Sequence, residues 1–226
     1  LFFCLALLSP VFSGDWPTYR HDIERTAVTD EKPSFPMRLA WRYIPSQEPR
    51  PAWPEPVRPP NRMDFDYAPA PVVANGTVYF GSTSDDTVRA LDVKNGDLKW
   101  QFTAGGPIRF APQIVEGRVY FASDDGYVYC LDAAAGKSVW KFRAAPEAEQ
   151  LIGNGRMISR WPVRTGALGA DGGVYAVAGT WNTEGIYVYA LKAADGSVLW
   201  CNDSGGFVQK AVGGRWKADD PHAGEF

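Results

Sequence analysis

Histidine is nearly missing from this chain: only His21 and His222 occur among 226 residues. That leaves no material for a His-rich metal cage or a histidine relay. Charge of one sign is missing too. Lysine and arginine number 23 against 26 acidic residues, a formal net charge of −3, so no long-range field draws the chain to nucleic acid or anionic lipid. No nucleophile–base pair, zinc-ligand spacing or phosphate loop is present, and no metal site is expected. Only one stretch is apolar throughout, LFFCLALLSPVFS at 1–13, and it is too short to span a bilayer. Val11 and Ser13 stand like the small residues before a signal-peptidase cut, so the run reads as the remnant of an export signal. No Met or basic segment precedes it, and Cys4 lies in mid-run, away from where a lipoprotein acylation site would be. The expected location is periplasmic or extracellular, with no transmembrane segment.

Cysteine is scarce as well. After the leader only Cys130 and Cys201 remain, and they are not adjacent. Export permits a disulfide between them. The reading adopted is instead a small buried thiol at Cys130, in the repeat position that Ala90 and Ala190 hold.

What the chain has is Gly, Pro and aromatics: 23 Gly, 18 Pro and 14% Phe, Trp and Tyr. That balance suits many short strands joined by tight turns. One phrase occurs three times: ALDVKNGDLKW at 90–100, CLDAAAGKSVW at 130–140 and ALKAADGSVLW at 190–200. Gly is always seventh and Trp always last. Upstream of each copy lies a related run, Gly-Thr-Val-Tyr-Phe (76–80), Gly-Arg-Val-Tyr-Phe (117–121) and Gly-Gly-Val-Tyr-Ala (172–176). Period-two patterning such as Val78, Phe80 and Val88, Ala90 indicates strands. Four strands per roughly 40 residues is the blade period of a β-propeller. The fold class expected is therefore all-β, a propeller of four-stranded antiparallel blades. In each phrase Gly supplies a positive φ in the turn between third and fourth strands, and the Trp on the outer strand staples neighbouring blades.

These residues resemble the tryptophan-docking motif of the quinoprotein alcohol dehydrogenase-like propellers, the pyrroloquinoline quinone (PQQ) repeat superfamily. Ala90, Asp92, Gly96 and Trp100 match its pattern in full. Cys130, Asp132, Gly136 and Trp140 match except at the first position, and Ala190, Gly196 and Trp200 match with Lys192 in place of the Asp. The opening DWPTYRHDIERTAV is similar to the N-terminal stretch of exported bacterial members. The expected organisation is a signal remnant at 1–13, an N-terminal segment at 14–66 with one lone outer strand (RLAWRY, 38–43) and a Pro-rich loop, three blades at 67–204, and the start of a fourth at 205–226. Such an arc does not close the roughly six to eight blades that the resemblance implies. The chain is thus expected to be the N-terminal part of a larger propeller, with the remaining blades as its partners.

The long connections mark a working face. Trp100 to Pro112 is twelve residues, whereas Trp140 to Ala167 is twenty-seven and Trp41 to Pro71 is thirty. Both long ones join an outer strand to the next inner strand. The other long loop, 179–185, joins a second to a third strand. In a meander these two kinds of connection emerge on one rim, where loops vary on a rigid scaffold. The loop 145–161 delivers Arg156, Arg160 and Trp161 there, and loop 179–185 delivers Trp181. Arg109 and Arg164 share one repeat position and are expected on adjacent inner strands near the channel mouth. Guanidinium forks suit carboxylate or phosphate. The alternative is that these arginines pair with Asp66, Asp124 or Asp125. The Pro-rich stretch 44–62 reads as an ordered cover over the rim anchored by Trp53, or else as a ligand for an SH3-like domain. Asp124-Asp125-Gly126 reads as a turn, since it lacks a set of calcium ligands.

The resemblance implies two function classes. One is a non-catalytic exported scaffold that binds protein, carbohydrate or a small anionic ligand on the insertion-bearing rim. The other is a PQQ-dependent alcohol or sugar dehydrogenase, which would need the quinone, calcium, an acidic base and, in many members, a vicinal disulfide that this chain lacks. The scaffold reading is adopted, with no cofactor expected on the chain itself and PQQ with calcium as the alternative's requirement.

Overall fold

The recurring phrase folds in all three copies as a strand, a tight turn and an outer strand. In the computed structural model, which describes residues 14–33, 35–52, 68–153, 155–181 and 184–203, there are fourteen strands and no helix long enough to cross a membrane. The first sheet runs β1 (Val72–Ala74), β2 (Thr77–Gly81), β3 (Thr87–Asp92), β4 (Leu98–Thr103). The second runs β5 (Gln113–Val115), β6 (Arg118–Ala122), β7 (Tyr127–Asp132), β8 (Ser138–Arg143). A two-stranded hairpin follows, β9 (Gln150–Gly153) with β10 (Arg156–Ser159). The last sheet is β11 (Leu168–Ala170), β12 (Gly173–Ala178), β13 (Tyr187–Lys192), β14 (Val198–Asn202). Each four-stranded sheet is an antiparallel meander, and the inner strands β1, β5 and β11 lie side by side. These are three successive propeller blades.

Register follows the phrase. Ala90 pairs with Trp100, Cys130 with Trp140, and Ala190 with Trp200, and in every case the ladder slips at the next residue. A small residue is needed there: Ala90, Cys130 and Ala190 are wholly buried. The turn Gly has φ of +76, +67 and +72° at Gly96, Gly136 and Gly196, and its N–H donates to the carbonyl four residues back. Asp92 and Asp132 also accept backbone N–H bonds within this turn. Lys192 cannot accept, and in the third copy the turn keeps the bond one step further on, where Asp195 accepts from Ser197 N as Asn95 does from Asp97 N in the first.

The tryptophans dock forward along the chain. Trp100 lies against Gly136 of the following blade and donates its Nε1–H to Ala133 O at 2.9 Å. Trp140 repeats this on Gly196 and Ala193 O, again at 2.9 Å. Tyr79 and Tyr120 donate to the same two carbonyls at 3.3 Å. Each of the two apolar cores accordingly sits at a blade junction. One gathers Val72, Val88, Trp100, Val119 and Tyr129; the other gathers Val128, Trp140, Val174 and Leu191. Trp200 pairs with Tyr175 but is 48% exposed.

Trp41 belongs to this series. It lies against Gly96 and donates to Val93 O at 2.9 Å, which is the place a preceding blade's staple would occupy. The segment 38–43 nevertheless forms no strand, because no described neighbour offers it a ladder. An N-terminal strap, missed in the sequence, runs along the inner strands: Trp16 exchanges two backbone hydrogen bonds with Val73, and Pro17 O accepts from Ile114 N. The segments 1–13, 53–67 and 204–226, which hold the export signal, Trp53, Asp66 and the expected fourth blade, lie outside the described residues.

Candidate binding surface on the insertion-bearing rim

The two rims differ in construction. On one, only tight turns occur. Asn75-Gly76, Glu116-Gly117 and Asp171-Gly172 each place both residues at positive φ, the twist that joins antiparallel strands in two residues. The second-to-third-strand loops and the blade-to-blade connections all emerge on the opposite rim.

The connection between the second and third sheets carries the hairpin β9–β10. It folds back over the second blade: Ser159 N donates to Asp124 O at 2.7 Å, and Val163 N to Ser123 O at 3.2 Å. From its start Arg156 reaches the first blade. Nη1 donates to Ser84 O at 2.8 Å and Thr83 O at 3.3 Å, while Nη2 pairs with the Asp86 carboxylate. Burial pushes that carboxyl above its ordinary range, against the pull of the Arg156 charge. This side chain thus ties the insertion between the second and third blades to the first.

Asp124 organises the centre. Its side chain is 1% exposed and accepts from Arg109 Nε at 2.6 Å and from Arg164 Nε and Nη2, both at 2.9 Å. Arg109 also donates to Arg50 O at 2.9 Å, and Arg50 N donates to Thr83 Oγ1 at 2.8 Å, so residues 50–52 of the Pro-rich stretch lie on the rim. Arg109 and Arg164 do not sit on the inner strands. They precede β5 and β11, because Pro112 brings no N–H to a ladder and Gly166, at φ +75°, breaks the extended backbone. The turn at Asp124-Asp125-Gly126 is observed, with Gly126 at φ +85°. Asp125 is consumed by structure as well, accepting from Gly105 N and from the Tyr129 hydroxyl.

Arg160 lies between two acids. Nη1 donates to Glu149 at 3.1 Å, and Nε is 3.3 Å from Glu184 Oε1. The hydrogen bond to Glu149 raises its pKa further. Trp161 is buried, crosses Tyr187 edge to face and donates Nε1–H to Glu184 O. Trp181, by contrast, is 48% exposed. The six candidate residues fall into three places. Arg109 and Arg164 share Asp124, Arg156 anchors the hairpin, and Arg160 and Trp181 line a cavity of about 300 Å³, with the buried Trp161 bonded to the backbone of Glu184 in its wall. That cavity lies between the hairpin and Thr180, Trp181 and Glu184, with Arg164 also in its wall. A second cavity of about 230 Å³ opens beside the inner strands and is lined by Tyr19, Arg25, Arg109, Phe110 and Thr165.

Sequence reading missed several of these residues. Asp86, Glu149, Thr180 and Glu184 carried no motif. The hairpin did carry one: Asn154-Gly155 stands between Leu-Ile and Met-Ile pairs, a two-residue hairpin signal. Asp124 stands where the first copy has Ser84, so its departure from the repeat was also visible. Both cysteines are free thiols, Cys130 buried and Cys201 exposed. Among the described residues no group of three or more His, Cys, Asp or Glu could hold a metal ion.

Comparison with known proteins agrees with the architecture. The family PQQ_2, described as outer membrane protein assembly factor BamB, matches residues 39–161, more than half of the chain. The dehydrogenase subunit of a quinone alcohol dehydrogenase from Gluconobacter oxydans is 27% identical over 148 residues, 58% of this chain and 18% of the relative. The corresponding subunit from Komagataeibacter europaeus is 36% identical over 89 residues, 32% of this chain and 12% of the relative. The quinohemoprotein alcohol dehydrogenase of Comamonas testosteroni superposes with a TM-score of 0.55 at 20% identity, over 83% of this chain and 27% of that one, and shows the fold. The chain spans less than a fifth of the length of these two curated relatives.

Proposed function

Since this chain belongs to the PQQ-repeat β-propeller family, we propose that it acts as an exported binding scaffold whose working surface is the insertion-bearing rim. The observation that carries this reading is the Arg156 tie. An insertion between the second and third blades is fixed to the first, with two backbone carbonyls and a carboxylate as its anchors. A loop that merely drifted in length gains nothing from being tied back to the first blade. A platform that presents side chains to a partner does, because a surface ordered beforehand loses less entropy on binding. On this platform Arg109 and Arg164 form the base, Arg160 the wall with the buried Trp161 behind it, and Trp181 the edge. Leu151, Ile152 and Met157 are presented on the hairpin, at 38, 76 and 53% exposure.

The relatives named as quinone alcohol dehydrogenase subunits favour a second reading, a quinoprotein oxidoreductase. The residues described here do not by themselves compose a calcium–quinone site. They hold no cluster of three metal-ligating side chains, and both central guanidiniums already meet the Asp124 carboxylate.

The two readings separate in one assay. The purified protein is incubated with PQQ and calcium, then examined for quinone absorbance and for reduction of an artificial electron acceptor with ethanol or glucose. The scaffold reading expects neither signal. Calcium-dependent turnover would replace it with the oxidoreductase.

A further inference from the structure

We infer that the cavity between hairpin β9–β10 and the residues Thr180, Trp181 and Glu184 is a subsite for a neutral sugar ring; this rests on the reading of the rim as a binding surface. Three features of the cavity point there.

The first is charge. Arg160 meets Glu149 and Glu184, and Arg164 shares Asp124 with Arg109. Arg160, Arg164 and Glu184 stand in the cavity wall, and both arginines are already engaged by carboxylates. An anion entering here must displace carboxylates already paired with both arginines and would be repelled by Glu184 in the wall. A neutral ligand rich in hydroxyls finds both forked donors and acidic acceptors, in the alternation a polyol uses.

The second is shape and surface. At about 300 Å³ the cavity is at the small end for a ligand site, so it takes one ring and not an extended chain. Leu151, Ile158, Pro162 and the half-exposed Trp181 supply apolar wall beside the polar groups. A pyranose presents that same pairing, a face of C–H groups and an edge of hydroxyls. An indole is the side chain best suited to the C–H face.

The third is an unmet polar atom. Thr180 Oγ1 is buried, lies in the cavity wall and has no hydrogen-bond partner among the described residues. A buried hydroxyl left unpaired is costly, and a ligand hydroxyl removes that cost. Neither the fold nor the Arg156 tie uses this atom.

The test is calorimetric titration of the purified protein with four neutral trisaccharides (maltotriose, cellotriose, mannotriose and chitotriose) and two anions, citrate and trigalacturonate. At least one neutral trisaccharide is expected to bind saturably, with little change in affinity on raising salt. Trp181→Ala should abolish detectable binding. Thr180→Val, which removes only an unpartnered hydroxyl, should weaken it roughly tenfold while leaving thermal stability unchanged or higher. Thr180→Val keeps the test valid even where the tryptophan variant fails to fold. Binding of only the anions, with steep salt dependence, overturns the sugar assignment and leaves the rim as a binding surface. Binding of none of the six probes overturns the sugar assignment as well. Dye reduction in the quinone assay is the separate result that removes the scaffold reading.

Discussion

The indole of Trp100 occupies the space that a side chain at Gly136 would need: a Cβ built there falls 2.5 Å from Trp100 Cδ2. The glycine thus answers two demands, a φ of +67° and an open face for the preceding blade's tryptophan. Gly117 has a similar φ, +73°, and nothing within 4 Å of its absent Cβ. Alanine at 117 should cost about 1–2 kcal/mol, the penalty of a left-handed residue. Alanine at 136 adds an overpacking penalty of about 1–3 kcal/mol. Denaturant unfolding of the two variants checks this, and equal losses would mean that the tryptophan contact contributes little.

The staples should differ in weight along the chain. Trp140 is 8% exposed and locks onto the third blade, so Trp140→Ala should cost about 3–5 kcal/mol. Trp200 is 48% exposed, and its Ala variant should lose far less. Thermal melts of the pair give the comparison.

Among the described residues, Arg109 and Arg164 converge on Asp124. Asp124→Asn removes the negative charge that both guanidiniums share, a loss of about 3–5 kcal/mol for a broken buried pair. Inorganic phosphate should then raise the melting temperature of the variant more than that of the parent, because the parent's two guanidiniums already share one carboxylate and the variant's do not. A parent equally stabilised by phosphate would show that Asp124 does not satisfy the arginines.

Alkali should weaken the fold through the core. Burial pushes the Cys130 thiol up to about 11 and the Tyr120 hydroxyl up to about 12. A raised folded-state pKa means that stability is fully present below the unfolded value and is lost as pH rises through the folded one. For Cys130 the melting temperature should fall from about pH 9 toward pH 11, and Cys130→Ala, the residue the other copies carry, should remove part of that fall. An unchanged alkaline profile in the variant would place the titration elsewhere.

How much of this was legible in the sequence follows from which demands are local. Gly and Trp in the phrase recur because a positive φ and a large flat side chain have few substitutes, so the blades could be read from spacing alone. The direction of docking could not, since Trp100 meets Gly136 across a blade junction that no spacing encodes. The ion pairs of the rim were partly open to view. Asp124 was among the acids that could meet Arg109 and Arg164, but the anchoring of Arg156 on Asp86, seventy residues away, depends on how the insertion folds back. The strap at Trp16 and Pro17 escaped notice because isolated backbone pairs leave no periodicity.

The central claim is that one rim works and the other only turns the chain. Photo-crosslinking side chains placed at Ile152 or Trp181 on the insertion-bearing rim, and at Lys137 on the opposite one, test it in cells that make the protein. Specific adducts at 152 or 181, with none at 137, are the expected result. Adducts at 137, or none at the insertion-bearing rim, would contradict it.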